Sequence, residues 1–162
     1  MFGLSPDFLY TSERGGGIIL GTASEVAITV AVAARERALT NVEKEQQDHM
    51  SSKAQESEND VAAWRGMTTS KMVMYGTTQT HSIGAKAATI LGLSFRAIEV
   101  FAKDNYSLRG DQLEAALKED VAKGLVPFML IATVGTTSSG AIDNLTEIHS
   151  VGEYAKIILA IT

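Results

Sequence analysis

Hydrophobic and polar positions alternate in blocks along the chain, and the blocks change period from one to the next. Residues 1–14 read as a lead-in, with Leu4, Phe8 and Leu9 as anchors around a Ser5-Pro6-Asp7 turn. Ile18-Ile19-Leu20, bounded by glycines, predicts a short strand. A helix from about Ser24 to Leu39 follows; it is apolar all round through Ala34 and is therefore expected to be buried on most sides. From Asn41 to Asp60 the chain turns to Glu, Lys, Gln, Ser and Asp, which predicts a solvated, partly helical connector. A helix continues it through Val61-Ala62-Ala63-Trp64. Met72 to Tyr75 predicts a buried strand, Ile83 to Leu91 a helix ending at Gly92, and Phe95 to Phe101 a strand. Leu113, Ala116, Leu117 and Val121 keep helical spacing up to a C-cap at Gly124. Pro127 to Val134 is a strongly apolar strand and Leu145 to Ala155 a helix with Asp143-Asn144 as its cap.

Strands that alternate with helices predict an α/β fold, a mostly parallel sheet with helices on both faces. In such sheets ligands gather at the carboxyl ends of the strands. Two loops meet that rule, Gly76 to Ser82 and Gly135 to Gly140, both rich in hydroxyls and the first containing His81. The Gly21-Thr22-Ala23-Ser24 turn also follows an apolar run and opens a helix. The expectation is three polar turns on one rim. Met72, Met74 and Met129 alternate within strands and read as core filling. Glu114, Lys118 and Glu119 read as a solvated helix face.

Composition narrows the picture. At 162 residues, 45% apolar and 20% charged, the chain is long enough for one domain with a sizeable core. A net charge of −5 without a basic face argues against a nucleic-acid partner. The longest apolar run is too short to span a bilayer, and the first residues lack the basic-then-apolar layout of a secretion signal. With no cysteine, thiolate chemistry and disulfides are excluded, no metal site is expected, and a cytoplasmic location is.

The chemistry concentrates at Gly21 to Ser24. The first N–H groups of a helix have no intrahelical partner, and the aligned peptide dipoles leave partial positive charge there. Gly21 and Ala23 add little bulk, while Thr22 and Ser24 add hydroxyls, so an anion such as a phosphate can approach. Taken alone, such a turn is more often an ordinary cap, and His81 more often a residue that caps the next helix or packs against neighbours. Gly15-Gly16-Gly17 precedes the apolar run and no Gly-Lys-Ser/Thr occurs, which disfavours a dinucleotide or nucleoside triphosphate.

Four segments together resemble the group II pyridoxal-phosphate-dependent amino-acid decarboxylases, and the aromatic-amino-acid and tyrosine branch most. They are Gly15 to Glu25, Gln79-Thr80-His81-Ser82, Tyr106 to Asp111, and Gly124 through Ala132-Thr133-Val134-Gly135-Thr136-Thr137 to Leu145. The resemblance implies a partial large domain of the aspartate aminotransferase-like, fold type I architecture over residues 1–162, with 41–60 as the polar connector. It implies pyridoxal 5'-phosphate as cofactor, an amino acid as substrate (aromatic rather than acidic), and a homodimer for the full-length protein. It also implies roles. Ala23 and Ser24 would contact the cofactor phosphate, His81 would stack on the ring and assist proton transfer as the catalytic residue, and Thr137 would line the pocket.

The family's cofactor-bonding lysine lies in a His-Lys pair and its ring-nitrogen aspartate in an Asp-Ala-Ala segment; neither occurs in these 162 residues. The expectation is a segment of a longer decarboxylase, inactive by itself. The alternatives are a non-catalytic α/β module that binds a phosphorylated metabolite, or an inactive remnant.

Overall fold

In the computed structural model, which describes residues 6, 9–13, 15–49 and 58–161, four parallel strands form one sheet. The chain runs α1 (Ala23–His49), α2 (Glu58–Lys71), β1 (Met72–Thr77), α3 (Ile83–Ile90), β2 (Ser94–Ile98), a single 3-10 turn (Ala102–Asp104), α4 (Gly110–Ala122), β3 (Val126–Ala132), α5 (Leu145–Ala155) and β4 (Ile158–Ile161). The strand order is β2-β1-β3-β4, and every pairing is parallel.

β1 is central and buried at every position. Its side chains divide strictly between two cores, as a period of two requires. Met72 and Met74, with Met129 and Ile131 of β3, face Ala31, Ala34 and Leu39 of α1 and Ala88 of α3. Val73 and Tyr75, with Leu130 and Ala132, face Leu113, Ala116 and Leu117 of α4 and Ile148 of α5. The methionines are core, as the alternation indicated.

Each helix shows why it lies where it does. α3 brings Gly84, Ala87 and Ala88 to the sheet. A Cβ at residue 84 would stand 3.0 Å from both Ile131 and Phe95, so small residues let the helix approach closely. α4 buries Leu113, Ala116, Leu117 and Asp120, a repeat of i, i+3, i+4 and i+7. It stops at Gly124, whose φ of +75° few other residues adopt cheaply. α5 starts at Asn144, whose side chain accepts from the Glu147 N–H.

Two expectations fail. Residues 15–20 form no strand; Ile18 is 71% exposed and Ile19 99%, because no described strand pairs with them. α1 is not buried on most sides. It meets the sheet along the narrow stripe Ala31, Ala34 and Leu39, and Val26 remains 44% exposed. α1 also runs on through half of the polar connector to His49, with Glu36 paired to Arg65 of α2. The His49 side chain and residues 50–57 lie outside the described residues, as do Leu4, Ser5, Asp7 and Phe8 of the lead-in.

Candidate functional site

β1 and β3 are adjacent and parallel, so the segments that follow them emerge at the same, carboxyl, edge of the sheet. After β1 the chain turns sharply. Thr80 Oγ accepts from the Thr77 N–H at 2.7 Å, and Thr77 Oγ accepts from the Gln79 N–H at 3.1 Å. Gly76 makes room for this turn: a Cβ there would meet the Phe95 ring at 2.8 Å and Thr80 Oγ at 2.9 Å.

His81 follows, exposed, just before α3. Its Nδ1 accepts from the Ile83 N–H at 3.2 Å. This is the capping contact weighed from sequence, and it has a chemical consequence. With Nδ1 as acceptor the neutral ring carries its proton on Nε2, and that edge and both ring faces stay available.

After β3, Thr136 organises a tight turn. Its Oγ accepts from the Ser139 N–H at 3.3 Å and the Ala141 N–H at 3.1 Å, and its carbonyl from the Gly140 N–H at 2.9 Å. Thr137 stands exposed at the tip. A bridge between Val134 and Ile142 closes the base. The two loops touch: Ser139 Oγ donates to Gln79 Oε1 at 2.8 Å. The His81 and Thr137 segments are therefore neighbours.

The third turn differs. Glu25 Oε2 accepts from the Gly21 N–H at 2.9 Å and the Thr22 N–H at 3.2 Å, while Thr22 Oγ accepts from the Glu25 N–H at 3.2 Å. This reciprocal arrangement is a capping box. It was readable as Thr22-x-x-Glu25, a pattern the reading of Thr22 and Ser24 alone passed over. The box leaves the Ala23 and Ser24 N–H groups without a hydrogen-bond partner among the described residues. No described hydrogen bond joins this turn to the other two.

Two buried groups support the β3 loop. Asp143, 3% exposed, accepts from the Leu108 N–H at 2.9 Å and the Thr133 N–H at 2.7 Å. Burial raises its pKa, and the two N–H donors oppose that rise. It is thus more than part of a helix cap. Thr133 Oγ is buried with no hydrogen-bond partner. Continuing the alternation of Met129 and Ile131, it belongs to the α1 and α3 side of the sheet. Buried hydroxyls are nearly always paired, so this orphan beside the β3 loop has a free donor and acceptor to offer.

A cavity of about 520 Å³ lies elsewhere, among Arg37, Asn41, Gly152 and the start of β4 at Ile158, and holds none of the residues singled out from sequence. Among the described residues no cluster of three His, Asp or Glu could hold a metal, and no helix is long and apolar enough to cross a membrane.

Residues 1–161 match the family described as the pyridoxal-dependent decarboxylase conserved domain. The chain belongs to that family. Among its relatives, tyrosine decarboxylase 2 of Arabidopsis thaliana is 34% identical over 151 residues, 91% of this chain and 24% of the relative. Aromatic-L-amino-acid decarboxylase of Manduca sexta is 38% identical over 160 residues, 98% of this chain and 28% of the relative. A crystal structure of Oryza sativa TDC with PLP and tryptamine superposes with a TM-score of 0.76 at 30% identity, covering 98% of this chain and 29% of that one. The chain thus spans about a quarter of the length of the relatives it matches. Its α/β architecture is that of part of the large domain of these pyridoxal-dependent decarboxylases.

Proposed function

We propose that this chain supplies the phosphate seat and one wall of a pyridoxal 5'-phosphate site in an enzyme that decarboxylates an aromatic L-amino acid. The observation that carries the reading is the pair of unpartnered N–H groups of Ala23 and Ser24 at the start of a long helix. N–H donors and helix dipole together favour a phosphate there. The reading requires the amino end of α1 to lie at the carboxyl edge of the sheet, where His81 and Thr137 stand.

The residues fit the cofactor. Ala23 and Ser24 would hold its phosphate, the His81 ring would cover a flat face, and the Thr137 and Thr133 hydroxyls lie on the adjoining loop. When bound, the cofactor supplies an electron sink for the electrons left by departing carbon dioxide. The chain's own contribution is to bind and orient. His81, its Nδ1 engaged, keeps a proton on Nε2 that it can present to a substrate atom. The turns after β1 and β3 are fixed from within by Thr77, Thr80 and Thr136. An amino-acid substrate, a second subunit and the cytoplasm complete the proposal, supported by the family, the net charge and the lack of cysteine.

The test is titration of the chain with pyridoxal 5'-phosphate, followed by amide NMR. Saturable shifts at Ala23, Ser24, His81 and Thr137, lost in Ser24→Asp, are expected. Shifts confined to lysines, or none at these four positions, would overturn the reading. The 162-residue chain alone is expected to release negligible carbon dioxide, since it holds no His-Lys pair. Amino-acid-dependent release would contradict that expectation.

A further inference from the structure

We propose that Gln79 is a positioning residue. Its side chain, latched to Ser139, sets the span between the loop that carries His81 and the turn that carries Thr137. The inference rests on the reading of this rim as a cofactor site, but its geometry stands independently.

Each loop is organised from within. On the β1 side, Thr77 and Thr80 fix the backbone of residues 77–80, and the Gln79 N–H is held by Thr77 Oγ. On the β3 side, Thr136 gathers the Ser139, Gly140 and Ala141 N–H groups. Between the two rigid loops the described residues place one hydrogen bond, Ser139 Oγ to Gln79 Oε1 at 2.8 Å. The protons account for themselves. Ser139 gives its single hydroxyl proton to Gln79, so the 2.6 Å contact between Thr136 and Ser139 must carry the Thr136 proton. Thr136 Oγ then accepts the Ser139 and Ala141 N–H groups on its lone pairs. A chain of hydroxyls thus runs from the backbone of one loop to the side chain of the other.

The latch is also insensitive to amide orientation. A serine hydroxyl can donate to the amide oxygen or accept from the amide nitrogen, so either rotamer of Gln79 closes it. His81 lies two residues after Gln79, and Thr137 two before Ser139. Opening the latch leaves no described hydrogen bond between the two loops, although the Thr78 N–H still holds the first to the Ile98 carbonyl of β2 at 2.9 Å, and the gap between an imidazole and a hydroxyl across a ligand is the quantity most easily lost.

Amide hydrogen exchange on the 162-residue chain provides the test. In Gln79→Ala, exchange at Ser139 and Ala141 should quicken about 3- to 10-fold, the range set by one neutral hydrogen bond, while the β1 and β3 amides keep their rates. Ser139→Ala should match it, the double variant should add nothing, and Gln79→Glu, which still accepts from Ser139, should restore protection. Unchanged exchange at residues 139–141, or equal loosening of β1 and β3, overturns the latch. Pyridoxal 5'-phosphate affinity gives the second readout. Weaker binding in Gln79→Ala with rescue in Gln79→Glu supports positioning, and equal affinity in all three overturns it. Failure of the unaltered chain to bind would count against the cofactor seat, and exchange alone would then judge the latch.

Discussion

Tyr75 of β1 donates its phenol to the Asp120 carboxylate of α4 at 2.7 Å, with both residues buried. The other oxygen of Asp120 accepts from Arg96 Nη1 at 2.5 Å, and Arg96 is the residue paired with Tyr75 across β1 and β2. A carboxylate at the buried heptad-like position of α4 is tolerable because both oxygens are engaged. Burial first, and the bond to Asp120 second, push the Tyr75 hydroxyl far above its usual pKa, so it remains a donor.

Tyr75→Phe is therefore expected to cost about 1.5–3 kcal/mol, the range for a hydrogen bond to a charged group. Asp120→Ala should cost more, since it strands the buried Tyr75 phenol and also removes one of the two carboxylates bonded to Arg96. Urea unfolding followed by far-UV CD reads both, with a lowered midpoint at unchanged slope.

Glu119, next along α4, bonds Lys123 at 2.6 Å and Arg96 at 2.5 Å. The Lys123 and Arg96 hydrogen bonds lower its pKa from 4.5 to about 2. A carboxylate whose folded pKa is depressed contributes stability that is complete above its unfolded pKa and lost as pH falls through the folded one. Thermal unfolding from pH 6 to pH 2 should show the melting temperature falling below about pH 4.5. Glu119→Gln should flatten that fall, and 1 M salt should do so in part, because the pairs are exposed.

Gly76→Ala should destabilise by about 1–3 kcal/mol, the usual cost of overpacking. The added methyl meets the Phe95 ring and Thr80 Oγ, both closer than 3.0 Å. Because Thr80 anchors the turn that carries Gln79, the same variant should speed amide exchange at Thr77 and Gln79 beyond any change in α5.

Local signals made most of the fold legible. β1, β3, α3 and α5 announced themselves through short apolar runs or helical spacing with a cap, and the parallel sheet follows from their alternation. Ile18 to Leu20 misled because three apolar residues meet β propensity, yet a strand exists only where another strand pairs with it. α1 misled because an apolar run fixes neither which side meets the sheet nor what else covers it. At the site, the loops of His81 and Thr137 could be placed on one rim from topology alone. The bond between Gln79 and Ser139, 60 positions apart, has no sequence signature. Asp143 read as a helix cap because Asn144 beside it is one, and only the fold shows the aspartate turned inward.

Asp143 joins three segments at once. Its carboxylate takes the Leu108 and Thr133 N–H groups, while its own N–H donates to the Thr133 carbonyl at 2.9 Å and the Asn144 N–H to the Leu108 carbonyl at 3.0 Å. Removing the side chain leaves two buried N–H groups unpaired, each costing about 1–3 kcal/mol. Against this stands relief of a buried charge, since burial holds the Asp143 pKa above its usual value. A raised carboxyl pKa favours the folded state at low pH and weakens it as pH climbs through the folded value, the reverse of Glu119. Asp143→Ala should therefore lose stability across the whole range, with the penalty largest in acid, where wild type pays least for the buried carboxyl. Asp143→Asn keeps one acceptor and no charge, so it should fall between the two and lose the Asp143 share of the pH dependence. Denaturant unfolding of the three proteins at pH 3, 5 and 7 measures this ordering. A penalty for Asp143→Ala that grows from pH 3 to pH 7 would contradict it.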